Sequence, residues 1–110
     1  MTTEQLEIFD LLGVEPGILS VSGVQINTWG REVLIECLYE DGTPRPFQLL
    51  FEACSSIQWD VHGEPSEDDH AAELMGLFLG EEEHRAASIV YTDLFELSVL
   101  YGSFTLLKEW

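Results

Sequence analysis

The sequence predicts an α+β domain, mainly antiparallel β, with an N-terminal helix packed on a meander or two-layer curved sheet. Three features of the chain lead there. Apolar residues near the start follow a helical spacing, those from Ile18 onward alternate with polar ones, and turn signals built on glycine separate the alternating runs. The 110 residues suit a single globular domain over 1–110, because two cores of ordinary size would each need roughly 50 residues or more.

The run Glu4-Gln5-Leu6-Glu7-Ile8-Phe9-Asp10-Leu11-Leu12 carries apolar residues at 6, 8, 9 and 12, close to one helical face. Thr2 or Thr3 can cap its free amides, Gly13 can end it in a left-handed conformation, and Pro16-Gly17 blocks continuation. A helix of about two and a half turns is marginal alone, so it depends on laying Leu6, Phe9 and Leu12 on the core.

Val24, Ile26 and Thr28, then Val33, Ile35, Cys37 and Tyr39, alternate with their neighbours as strand residues do. Trp29-Gly30-Arg31-Glu32 turns the chain between these strands, and Asp41-Gly42 is the tight-turn signal after the second. Pro44 and Pro46 cannot donate to a ladder, which places them outside the third strand, Phe47 to Phe51, or at its edge. Ile57, Trp59 and Val61 resume the alternation with Trp59 expected in the core, so residues 47 to 61 form one bent strand or two. Further on, Ser66-Glu67-Asp68-Asp69 has the pattern of a helix start, and helix competes with strand through Gly80. A loop or helical turn to about 72, then a short strand from 74 to 79, is the working assignment.

Ala87, Ile89 and Tyr91, then Phe95, Leu97, Val99 and Tyr101, then Phe104 and Leu106, predict three antiparallel strands. Thr92-Asp93 and Gly102-Ser103 are short enough that each strand is expected beside the next. Leu94, Leu100 and Leu107, on the alternate positions, imply partial cover from the helix or a second layer. The segment from Ala87 to Phe104 resembles small immunity-like or uncharacterised bacterial domains that end in a meander; it matches no named family, and no functional residue is carried over.

The chain holds 21 Asp or Glu against 4 Lys or Arg, a net charge of -17, yet 45% of its residues are hydrophobic and its mean hydropathy is +0.06. A disordered acidic tail would be low in both apolar and aromatic residues, so this chain is expected to fold. The negative field opposes phosphate backbones and anionic lipid heads and favours basic proteins, which argues against direct nucleic-acid or membrane binding. With no run of 18 apolar residues and no positive segment in Met1-Thr2-Thr3-Glu4, a cytoplasmic location is expected. Cys37 and Cys54 are expected as two buried free thiols.

None of the standard short signatures for phosphate, dinucleotide, zinc-protease or nucleophile-elbow sites occurs. His62, His70 and His84 lie in or beside the region 60–83, which holds nine of the 21 acids, and with nearby carboxylates they are candidate ligands for a transition metal. A small metal-dependent or otherwise unrecognised enzyme centred on 60–84 is therefore the alternative function. Ser22, Ser55, Ser56 and Cys54 are the available nucleophiles, each with a simpler structural role.

The leading expectation is a non-catalytic acidic binding or regulatory domain, inhibitor- or immunity-like, that recognises a protein partner and needs no cofactor. Trp29, Glu36, Glu40, Asp68, Asp69, Glu81, Glu82, Glu83 and Trp110 are its candidate contact residues, aromatic anchors combined with carboxylates. The oligomeric state is expected to be a monomer or a homodimer, the latter through Leu34, Leu38 and Leu50 on the face opposite the core.

Overall fold

The computed structural model describes residues 3–15, 17–40, 42–62 and 72–110, with residues 3–7 described by backbone alone. Among the described residues one α-helix, α1 (Thr3–Leu12), precedes eight strands: β1 (Ile18–Asn27), β2 (Glu32–Glu40), β3 (Pro44–Glu52), β4 (Ser56–Val61), β5 (Ala72–Phe78), β6 (Ser88–Thr92), β7 (Phe95–Leu100) and β8 (Ser103–Lys108). They form a sheet of order β4-β7-β6-β5-β1-β2-β3-β8 in which each pairing is antiparallel. The molecule is thus a mostly antiparallel sheet with one short helix, richer in β structure than the sequence suggests.

The alternation in sequence sorts side chains to the two faces. Val33, Ile35, Cys37 and Tyr39 of β2, Phe47, Leu49 and Phe51 of β3, and Phe95, Leu97 and Val99 of β7 point into one apolar cluster. Ile8, Phe9 and Leu12 of α1 join it, the helix lying against β5 with Phe9 edge-on to Tyr39 at 6.3 Å between ring centres. Leu34, Leu38 and Leu50 stay half-buried on the opposite face, as expected.

The sheet curls because two strands bend together. β3 runs into β4 through Ala53-Cys54-Ser55, and β7 runs into β8 through Tyr101-Gly102. The two stay paired on both sides of the bend, Glu52 opposite Ser103 and Ser56 opposite Leu100. At the bend itself Gly102 N–H donates to Glu52 O at 2.9 Å and Ser55 N–H to Leu100 O at 2.8 Å. Three residues therefore face two, which is the count of a bulge, and the extra residue turns the ribbon. Phe51 fills the inside of the corner, with Tyr101 at 4.8 Å and Phe104 at 5.1 Å between ring centres.

Several sequence expectations change. Residues 47 to 61 are two strands, and the helix-or-strand competition after 72 resolves to β5, because β1 and β6 offer its backbone partners on both sides. β8 does not pair with β7: Gly102 lies in the corner, not in a hairpin, and β8 pairs with β3. Pro44 and Pro46 lie within β3, but β8 pairs only from Phe47 onward, so both sit beyond the end of the β3–β8 ladder. Trp59 is 44% exposed, because β4 ends the strand order and, among the described residues, has a neighbouring strand on one side only. Asp41 and the expected helix start at Ser66 lie outside the described residues, as do Thr2, Pro16 and the side chains of Leu6 and Thr3.

A Cβ on Gly102 would lie 2.9 Å from the Cβ of Ala53, which itself has a φ of 55°. Gly102→Ala is expected to cost about 1–3 kcal/mol by overpacking. In an Ala53→Gly background, which removes the clashing atom, the same substitution is expected to cost less than about 1 kcal/mol. Urea denaturation of the four proteins in this cycle measures both; equal costs in the two backgrounds would refute the close approach.

Candidate functional site

Two further segments gather at the corner. The β1–β2 connection passes through Thr28, Trp29 and Gly30 at φ of 53°, 56° and 93°, a run of left-handed residues in which only the last is glycine. Asn27 Nδ2 donates to Glu32 Oε2 at 3.0 Å across the base of the turn, and Arg31 N–H returns to Thr28 O at 3.1 Å. Arg31 O in turn accepts from Cys54 N–H at 2.9 Å, so the turn is tied to the corner. From the other side the Glu81–Ala86 turn arrives, its Glu83 and His84 amides donating to Gly102 O and Tyr101 O at 2.8 Å each. His84 Nε2 lies 2.8 Å from Ala53 O, and since a carbonyl only accepts, the ring proton sits on Nε2.

These segments enclose an open cleft of about 540 Å³ lined by Trp29, Arg31, Cys54, Ser55, Ile57 and His84 among others. Trp29 stands 100% exposed at its mouth. All five left-handed non-glycine residues among those described, Thr28, Trp29, Ala53, Glu83 and His84, belong to the segments that build it. Each costs of order 1–3 kcal/mol and persists only where its surroundings over-determine it, a pattern that concentrates at functional sites.

The rim is acidic. Glu52, Glu81, Glu82 and Glu83 are exposed, Glu32 is opposite Glu52 across β2–β3, and Glu82 accepts from Phe104 N–H at 3.0 Å. Arg85 approaches Glu83 at 3.7 Å with both side chains solvated, and Arg31 lies within the cleft. No described carboxylate is buried, so folding fixes the negative charge on the surface.

The structure thus brings Trp29, Glu81, Glu82 and Glu83 to one end and leaves the other sequence candidates elsewhere. Glu36 projects from the outer face of β2, and Glu40 is at that strand's far end, opposite Ile18 and Pro44. Trp110 stacks on Tyr39 at 6.1 Å between Arg45 and Lys108 and donates from Nε1 to Pro46 O, so it packs the end opposite Trp29. Asp68, Asp69 and His70 lie outside the described residues. His62 and His84 lie beyond opposite ends of β4, a strand roughly 17 Å long at about 3.3 Å per residue, and do not converge. Among the described residues no three His, Cys, Asp or Glu side chains form a metal-binding group, although His62 Nε2 is buried with no partner among them. Nothing in the sequence marks Arg31, Ser55 or Ile57 as contact residues, although all three line the cleft. Their role follows from the bend, which no glycine or asparagine announces at Ala53. No protein-family model matches the chain, and no curated protein matches it in sequence.

Cys54 borders the cleft but is not a ready nucleophile. Its Sγ donates to Phe51 O at 3.4 Å and burial pushes its pKa up. Cys37, buried and beside Glu36, is pushed from 9.0 to about 12, and both thiols are free. Native protein at pH 8 is expected to resist alkylation at both positions, with both reacting once unfolded. Unfolding releases the Cys37 proton at a lower pH than the native state does, so this thiol's contribution is intact below pH 9 and lost as pH rises toward 12. Cys37→Ala is expected to flatten that part of the stability–pH curve; an unchanged slope would refute it.

Proposed function

We propose that this chain is a non-catalytic binding or regulatory domain that recognises a protein partner, with the Trp29 cleft and its acidic rim as the contact surface. The observation that carries this reading is Trp29 itself. A wholly exposed tryptophan in a left-handed conformation contributes no buried area to the fold and adds strain to it. Trp is also the residue type most enriched among interface anchors, because its large rigid ring gains much area on burial for few frozen rotors.

The rim gives the partner its character. Glu81, Glu82 and Glu83 beside Glu52 present a surface that a basic protein complements, steering encounter and rejecting acidic competitors. The mode is inhibitor- or immunity-like, a rigid acidic surface sealing a basic one. It requires no cofactor and accords with a domain that acts in the cytoplasm away from nucleic acid and lipid.

Immobilised protein is expected to retain a specific basic partner from native lysate at low salt and to release it on salt elution. Trp29→Ala is expected to weaken that partner by about 2 kcal/mol or more, roughly 30-fold, with the urea midpoint of the domain unchanged or raised. Equal retention by the two proteins would overturn the reading, as would the absence of any protein retained above a charge-matched acidic control.

A further inference from the structure

The cleft opens onto β4, whose first residues Ser56 and Ile57 line it. β4 ends the strand order, with β7 its only ladder partner among the described residues. Its hydrogen-bond phase follows from one contact: His62 N–H donates to Leu94 O at 2.7 Å, so the even-numbered residues of β4 face β7 and the amides of Ile57, Trp59 and Val61 point the other way. Among the described residues nothing pairs with that side. Exposed sheet edges are ordinarily blunted by charged side chains, proline or a bulge, and of these Ser56-Ile57-Gln58-Trp59-Asp60-Val61 has a single charge, Asp60.

The side chains define what fits. Trp59 and Val61 are 44% and 68% exposed on the inward face, Trp59 stacked on Phe95 at 4.5 Å, and both leave apolar surface for a neighbour. On the outer face Asp60 stands directly opposite Glu96, a like-charged pair across the ladder, with Gln58 opposite Ser98 beside it. A second copy of this chain would bring another Asp60 and another charge of -17 to the same edge. A strand with Lys or Arg at the position facing Asp60 would instead neutralise the pair.

We propose that β4 is a docking edge to which the partner adds an extended antiparallel segment carrying a Lys or Arg between two apolar residues. The basic residue lies against Asp60 and Glu96, and the apolar residues lie against Trp59 and Val61, their amides pairing with the free edge. This mode of recognition, strand addition with alternate side chains read by the two faces, takes its affinity from main-chain hydrogen bonds. The inference rests on the reading of the chain as a partner-binding domain and names the shape and chemistry of what binds.

The probe is a synthetic peptide of alternating valine and lysine, used with the whole chain and followed by amide hydrogen exchange. In the free protein the amides of Ile57, Trp59 and Val61 are expected to exchange fast while those of Gln58 and Asp60 are protected. With peptide the first three are expected to slow at least about tenfold. N-methylation of the valines, whose amides face β4, is expected to abolish the effect, and N-methylation of the lysines to leave it, charge and apolarity being nearly the same in both. Val61→Pro removes one edge amide without touching the β7 ladder and is expected to fold and to lose the peptide. Slow exchange at all three positions without peptide, indifference to valine N-methylation, or protection that rises with protein concentration alone would overturn the proposal, the last by assigning the edge to a second copy. If these fail while Trp29→Ala still loses a lysate partner, only the strand-addition inference falls; if they succeed and no lysate partner depends on Trp29, the cleft reading falls instead.

Discussion

The structure depends on a shared bend. Two antiparallel strands can change direction and keep their ladder when one contributes an extra residue at the turning point, and here Ala53-Cys54-Ser55 does so opposite Tyr101-Gly102. That bend lets a sheet whose order runs from β4 to β8 wrap its apolar face around one cluster, so that Phe51, Tyr101 and Phe104 meet inside the corner. Without it the inward residues of β6 and β7 would face water.

The same bend accounts for where the molecule is strained. A corner leaves backbone groups that no ladder satisfies, and loops must supply the partners: Arg31 O for Cys54 N–H, the His84 ring for Ala53 O, and the amides of Glu83 and His84 for Gly102 and Tyr101. Each loop takes up left-handed residues to reach its partner. Satisfying the corner therefore builds the cleft, and Trp29 is carried to its mouth by a turn whose other contacts are structural. Its indole has no such duty, which is why its identity points outward to a partner.

Much of this was legible in the sequence, and the parts that were not share a physical cause. The two-residue alternation of Val33 to Tyr39 or Phe95 to Val99 reports burial directly, so strands, core face and the outward acids Glu36, Glu52 and Glu96 could be read from it. Alternation does not report which strand pairs with which. The likeness of Gly102-Ser103 to a hairpin turn hid the corner, because the decisive partner, Glu52, is remote in sequence. Trp59 shows the same limit: its position has core parity, but among the described residues β4 has a neighbouring strand on one side only. The acids at 81 to 83 could be singled out by composition, whereas their meeting with Trp29 depends on the bend. At the opposite end the packing of Trp110 is not legible in the sequence, because its stacking partner Tyr39 lies far along the chain.

If Trp29 is kept for recognition and not for folding, the most direct measurement is the stability of Trp29→Gly. Glycine relieves a left-handed conformation that costs a larger residue about 1–2 kcal/mol, offset in part by the greater entropy of the unfolded chain. The urea midpoint is therefore expected to stay level or rise, by up to about 1 kcal/mol in stability, while partner retention is lost. A loss of more than about 1 kcal/mol on that substitution would show that the indole holds the turn in place, and would contradict its assignment as a contact residue.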